Sequence, residues 1–288
     1  MASVFLRKAV PESFRPALWR ARRALRQLFH GYLTNRLFGP NARFVPPLDL
    51  MHDGPVGYTE FKDNGLEFFR HYVELCGLTP DEKMLDIGCG IGRKTLPLVS
   101  YLSPRGGYEG MDIVKSGIDW CVEKYSRDYP NFRFQLIDVF NKHYNPGGTH
   151  RASEYKFPFS DEHFDFAVLN SVFTHMMPDE VVTYLSEVSR VLKPGGRCLV
   201  SLFLLNEESR GLIEAGKSTL DLRHDFGPAK AISRESPERA IGYDEEHVIR
   251  LYGQSGLEIR QPILYGSWCS RQKFLSYQDQ ILAFKNAA

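Results

Sequence analysis

The sequence predicts an α/β protein, a mostly parallel sheet with helices on both faces, preceded by a basic amphipathic helix. Three observations carry this reading. From Lys83 onward short apolar runs alternate with stretches of helical period. The first of those runs ends in a glycine-rich turn, and the basic residues of the leader stand apart from a mildly acidic remainder. Strands separated by helices of this length pair in parallel, and a parallel sheet is buried on both faces.

The elements follow in order. Between Phe14 and Leu33 large apolar residues recur at helical spacing (Phe14, Leu18, Leu25, Leu28, Phe29, Tyr32), with arginines 15, 22, 23 and 26 mostly between them. Gly39 to Gly57 holds four prolines and reads as an extended linker. Glu60–Cys76 is helical in pattern and stops at Gly77. Lys83–Ile87 is the first strand, Arg93–Leu102 a helix, Gly107–Ile113 the second strand and Ser116–Tyr129 a helix. Phe132–Val139 and Phe164–Asn170 are the third and fourth strands. The helix Asp179–Val191 stops at Lys193-Pro194-Gly195-Gly196, and Arg197–Leu205 is the fifth strand. Asn206–Ala240 reads as a polar, irregular insertion over the sheet's carboxyl edge. The helix Asp244–Ser255 follows, then strands near Leu257–Tyr265 and Ser276–Phe284. The expected organisation is a leader and linker over 1–57 and a main domain over 58–288, with the insertion at 206–240.

Charge and cysteine usage narrow the function class. Residues 1–50 carry nine Lys/Arg against two acids, so the net charge of +1 averages a basic leader and an acidic body. The basic excess does not continue into the main domain, which argues against nucleic acid as a partner. Residues 5–33 suit peripheral contact with an anionic lipid surface. An organellar transit peptide is a second reading, and a lid docked on the acidic body is the favoured one, because a helical apolar stripe is most often core. Five scattered cysteines, no long apolar run and no secretory signal point to a soluble, cytoplasmic protein.

The segment Asp86-Ile87-Gly88-Cys89-Gly90-Ile91-Gly92 is a ligand-binding turn at a strand's carboxyl end, where open parallel sheets bind their ligands. Glycines let the backbone approach a ligand closely. A nicotinamide or flavin site uses the same architecture, but with G-x-G-x-x-G spacing facing a pyrophosphate. Here the spacing is G-x-G-x-G, and Asp86 precedes it. A carboxylate at that point repels a pyrophosphate and suits the amino group of an amino acid. Asp112 ends the second strand, where an acid accepts from both hydroxyls of a ribose. Asp138 ends the third, with Val139 beside it, placed to meet an adenine amino group.

The successive motifs MLDIGCGIG (84–92), GMDIV (110–114), LIDV (136–139), FDFAVLNSVFTHM (164–176) and LKPGGRCLVSLF (192–203) resemble those of class I S-adenosylmethionine-dependent methyltransferases. The similarity is greatest to the branch that modifies small molecules, lipids and sugars, and it covers about 61–284. It implies a Rossmann-like sheet of seven strands whose last strand runs antiparallel, and S-adenosyl-L-methionine as cofactor. It also implies that Asp86, Gly88, Gly90 and Gly92 line the methionine end, that Asp112 binds ribose, that Asp138 and Val139 meet adenine, and that Asn170 lies beside the methionine. Ile113 joins this set, as does Cys89, the latter a small filler between glycines.

Methyl transfer to oxygen requires alignment and a general base. His175, just after the fourth strand, is the candidate base, with helix capping or packing as its other reading. Tyr58, His224 (beside Asp225) and Trp268 are the candidate acceptor-binding residues, against core packing for Trp268 and an exposed loop pair for His224. No close cluster of metal ligands occurs in the sequence, so transfer is expected to be metal-independent. The competing classes are a cofactor-binding scaffold without catalysis and a nicotinamide oxidoreductase. The identity of the acceptor is not written in any motif.

Overall fold

In the computed structural model, residues 28–286 are described. Seven strands form one sheet: β1 (Lys83–Ile87), β2 (Gly107–Asp112), β3 (Phe132–Leu136), β4 (Phe164–Leu169), β5 (Leu192–Leu202), β10 (Leu257–Ile259) and β11 (Asp279–Lys285). Their spatial order is β10-β11-β5-β4-β1-β2-β3. β1 pairs in parallel with β2 and β4, β2 with β3, and β4 with β5, whereas β11 runs antiparallel between β10 and β5. The expected seven-stranded sheet with an antiparallel last strand is therefore present.

The central strands read as continuous apolar runs because successive residues feed two cores. Leu85, Ile87, Ala167, Leu169, Cys198 and Val200 pack on one face with helices α3 (Pro178–Val191) and α5 (Glu245–Gln254). Met84, Phe166, Val168 and Leu199 pack on the other with α1 (Tyr58–Arg70). α1 continues through His71–Leu75 in wider turns, and α2 (Lys115–Cys121) does the same through Val122–Ser126.

Three stretches differ from expectation. Arg93–Leu102 contains only the short 3-10 turn Leu96–Ser100, because Pro97 has no N–H to give a longer helix. The bare face of Gly65 on α1 lets the Arg93 carbonyl close in, where a Cβ would lie 2.6 Å away. The prolines of 39–57 do not form an extended linker. Residues Gly39–Phe44 make a 3-10 turn, and Phe44, Val45 and Met51 are buried in the α1-side core. The insertion is ordered rather than irregular. Helix α4 (Glu207–Glu214), capped by the Asn206 side chain on Ser209 N–H, sits beside a small sheet of β6 (Leu204–Leu205), β7 (His224–Asp225), β8 (Ala229–Ala231) and β9 (Ile241–Asp244). Strands of two to four residues carry too little period to be seen in sequence.

The two sheets are joined through Asp279 at the start of β11. Its fully buried carboxylate accepts from Leu204 N–H, Gly266 N–H and Trp268 Nε1–H at 2.7 Å each, and from Arg271 Nη1 at 2.8 Å. Residues 28–38 are helical, and Leu33, Leu37 and Phe38 pack on the body. Most of the basic helix expected over 14–33, and with it the lipid-contact expectation for 5–33, lies outside the described residues. No helix among the described residues is long and apolar enough to cross a membrane.

Candidate active site

The glycine turn is shaped by backbone bonds from the neighbouring strand. Gly88 N–H and Cys89 N–H both donate to the Met111 carbonyl, at 2.8 and 3.2 Å, and turn the chain out of β1. Gly88 and Gly90 have φ of 78° and 57°, which favours glycine at both positions. A Cβ on Gly90 would lie 2.4 Å from an Asp53 carboxylate oxygen, and one on Gly88 2.5 Å from Val172. Asp112 fastens the turn: Gly90 N–H donates to one carboxylate oxygen and Val114 N–H to the other, each at 2.8 Å. Each oxygen keeps a second acceptor site free in principle.

A cavity of about 600 Å³ opens at the carboxyl ends of β1, β2 and β4. Of the residues expected at the site, Gly88, Gly90, Asp112, Ile113, Val139, Asn170 and His175 form its wall together. Asp86 stands behind the turn, buried. One of its oxygens accepts from the Tyr108 hydroxyl at 2.7 Å; the other, Oδ1, has no hydrogen-bond partner among the described residues. Burial pushes its pKa up to about 6 against the pull of the Lys94 ammonium. Just past the end of adjacent β4, Asn170 gives its amide N–H to the Tyr72 hydroxyl, and its Oδ1 is likewise buried and unpartnered among the described residues. Two orphan acceptors at neighbouring strand ends call for a donor, because an unpaired buried oxygen costs free energy.

Other expected residues are placed elsewhere. Asp138 is exposed and outside the wall; its carboxylate accepts from Thr149 N–H and the Thr149 hydroxyl, while its neighbours Ile137 and Val139 face the cavity. Successive residues leaving a strand point to opposite sides, so one position decides this. Cys89 lies beneath the turn with its Sγ 3.0 Å from where a Gly110 Cβ would be, and burial pushes its thiol pKa well up. Gly92 is also outside the wall and makes room for the Tyr125 ring, which stands 2.8 Å from where a Cβ on Gly92 would lie.

None of the three candidate acceptor-binding residues reaches the cavity. The Tyr58 hydroxyl bonds to His30 Nδ1 at 2.7 Å, toward the N-terminal helical segment. His224 lies on the outer strand of the small sheet, and the Asp225 carboxylate accepts from Gly227 N–H instead of orienting the imidazole. Trp268 is fully buried as part of the Asp279 junction.

His175 does reach the wall. Its Nδ1 lies 2.7 Å from the Glu238 backbone carbonyl and must donate there, which leaves Nε2 as the unprotonated nitrogen. Nε2 has no hydrogen bond to any described residue, and the Tyr144 ring stands edge-on at 5.4 Å. Burial lowers the imidazole's pKa, the Glu238 carbonyl opposes this, and His143 adds to the lowering, so the ring is held neutral.

Several wall residues had no signal in sequence. Arg93, almost fully buried, donates to the carbonyls of Asp53 and of Pro55 (3.0 Å for Pro55) and lies 5.0 Å from the Phe61 ring centroid. It thereby straps His52–Pro55 across the glycine turn, with a partner some forty residues earlier in the chain. Lys94 follows it into the wall, its Nζ 5.3 Å over the Phe68 ring and without an ion pair among the described residues. Tyr144 and Gln278 complete the set. The family pattern G-x-G draws the eye to the turn and not to these side chains.

Comparison with known proteins finds a family model over part of the chain. A model described as a methyltransferase domain matches residues 85–200. Over 176 residues the chain is 28% identical to a fatty-acid O-methyltransferase of Mycolicibacterium smegmatis, covering 59% of this chain and 56% of that protein. Over 128 residues it is 32% identical to phthiotriol/phenolphthiotriol dimycocerosates methyltransferase 1 of Mycobacterium ulcerans, covering 44% and 38%. The chain thus spans about half the length, or less, of these curated relatives. Among solved structures, one of SAM-dependent methyltransferases from Methanosarcina mazei shares the fold, with a TM-score of 0.51 at 23% identity over 75% of this chain and 98% of that one.

Proposed function

We propose that the protein is an S-adenosylmethionine-dependent methyltransferase that methylates an oxygen of a small-molecule, lipid or sugar acceptor, a reading supported by the methyltransferase-domain match over residues 85–200. The observation that carries the reading is the pair of buried, unpartnered oxygens, Asp86 Oδ1 and Asn170 Oδ1, at the ends of adjacent strands. Asn170 in the wall, backed by Asp86 behind the turn, suits the ammonium of an amino-acid ligand, and the Lys94 ammonium in the wall suits its carboxylate. Asp112, already held by two backbone N–H groups, keeps lone pairs for the ribose hydroxyls. Ile113, Ile137 and Val139 offer apolar surface to the adenine, a role that Asp138, engaged by Thr149, leaves to them.

When bound, S-adenosylmethionine supplies an electrophilic methyl group on a sulfonium sulfur. The chain's own groups do the rest. The glycine turn and Asp112 orient the ligand, the His52–Pro55 strap covers it from water, and His175 takes the acceptor's proton at Nε2. The fatty-acid and phthiotriol-type names of two relatives support an acceptor with an apolar body.

The test is a calorimetric titration of the full chain with S-adenosylhomocysteine, S-adenosylmethionine and NADH. The first two are expected to bind and NADH not to; the reverse would replace the reading with an oxidoreductase. Asp112→Ala is expected to weaken S-adenosylhomocysteine binding by about 1.5–3 kcal/mol, and unchanged affinity would move the ribose elsewhere. Because Asp86 titrates near pH 6, its protonation competes with ammonium binding. Affinity should therefore fall as pH drops through about 6, and a flat profile between pH 5 and 8 would count against the assigned role.

A further inference from the structure

Beside the strand ends that face the methyl donor lies a second hydrogen-bonded assembly, built from Ser171, Ser201 and Gln278. Ser171 follows β4 with φ at 60°, a left-handed conformation that a non-glycine residue adopts only when its surroundings hold it. What holds it is a chain of bonds. Ser171 N–H donates to Ser201 Oγ at 2.8 Å, and the fully buried Ser201 hydroxyl donates to Gln278 Oε1 at 2.6 Å. The Ser171 hydroxyl donates to the same oxygen at 2.9 Å.

The backbone beneath Gln278 is equally fixed. Ser267 N–H and Trp268 N–H donate to the carbonyls of Ser276 and Tyr277 at 3.0 Å each. Gly266 packs so closely that a Cβ there would sit 2.4 Å from the Gln278 carbonyl carbon. With Oε1 occupied twice, the two N–H bonds of Nε2 are left without a partner among the described residues. Gln278, Ser171 and His175 all belong to the wall of the one cavity. The part-buried side chain is thus held by its oxygen, with its N–H donors open to a ligand oxygen in the cavity.

We propose that Gln278 Nε2 binds the acceptor's oxygen and that the acceptor is an alcohol. This rests on the methyl-transfer reading and narrows it. A hydroxyl has one proton and two lone pairs. One lone pair accepts from Gln278, the second attacks the methyl carbon, and the proton passes to His175 Nε2. The C–O bond forms as the methyl–sulfur bond breaks, and the sulfonium charge is lost as the imidazole gains a proton. A carboxylate would arrive without a proton and leave His175 nothing to do. The apolar part of the same wall, with Val172, Met176 and Tyr184, suits an aliphatic body.

Gln278→Glu separates binding from architecture. Both serines can still donate to a carboxylate at 278, but the N–H donors are gone. 1-Octanol and octanoate are titrated into protein saturated with S-adenosylhomocysteine, and transfer from labelled S-adenosylmethionine to 1-octanol is followed. In the wild type, 1-octanol is expected to bind more tightly than octanoate. In Gln278→Glu its affinity falls about tenfold or more and KM for 1-octanol rises, with melting temperature and S-adenosylhomocysteine affinity unchanged. Equal 1-octanol binding by variant and wild type would overturn the role of Gln278. Octanoate binding the wild type as tightly as 1-octanol would overturn the alcohol, independently of whether the variant folds. Wild type that binds S-adenosylhomocysteine but not 1-octanol would overturn the proposal alone. Failure to bind S-adenosylhomocysteine would overturn the methyl-donor reading beneath it.

Discussion

His175→Ala is expected to slow methyl transfer by about a hundredfold to ten-thousandfold while leaving S-adenosylhomocysteine binding unchanged. The size follows from the role of a positioned base, and the assignment follows from the tautomer. With Nδ1–H committed to the Glu238 carbonyl, Nε2 alone is open to a proton, and it lies in the cavity wall. The pH dependence has a definite sign. Burial lowers the folded-state pKa from its ordinary value, so the base form is favoured at neutral pH and is lost as pH falls. Single-turnover rates should accordingly hold at neutral pH and decline as the solution becomes acid. The alanine variant should lack that limb. If His175→Ala raised KM for the acceptor and left kcat intact, the residue would be a binding group and not the base.

Asp279→Ala is expected to destabilise the protein by about 3–5 kcal/mol, the cost of breaking a buried ion pair by removing one partner. Two backbone N–H groups, the indole N–H of Trp268 and the Arg271 guanidinium would all lose their acceptor together. Arg271 would remain almost fully buried, with Glu208 and Asn206 as its other side-chain partners. Such a loss is a large share of the ~5–15 kcal/mol that holds a domain. Urea denaturation checks it. A shift below about 1 kcal/mol would mean that water or relaxation replaces the lost acceptor. Asp279→Asn, which keeps an acceptor oxygen and the side-chain volume, should cost less.

The large elements were legible because each had a redundant signal. β1 and β4 are continuous apolar runs whose alternate residues enter different cores, and both lie within a residue of their expected limits. The glycine turn was legible because an unusual backbone needs an unusual residue. What could not be read depends on distance or on a single position. Arg93 holds carbonyls of residues 53 and 55, and no local pattern joins them. Asp138 and Val139 are neighbours, yet only Val139 faces the cavity. Trp268 and Tyr58 have the chemistry of a pocket wall but serve buried contacts. Gln278 lies within the expected last strand but just before the observed one, and its meaning comes from Ser201 on β5 and Ser171 just after β4.

The bond between His175 and residue 238 is made by a peptide carbonyl. A side-chain substitution at 238 that keeps the turn leaves this carbonyl in place. A change in the length or path of the Pro237–Arg239 turn would displace it at once. With His175 proposed as the base, its activity depends on the path of the Pro237–Arg239 turn more than on the side chain at 238.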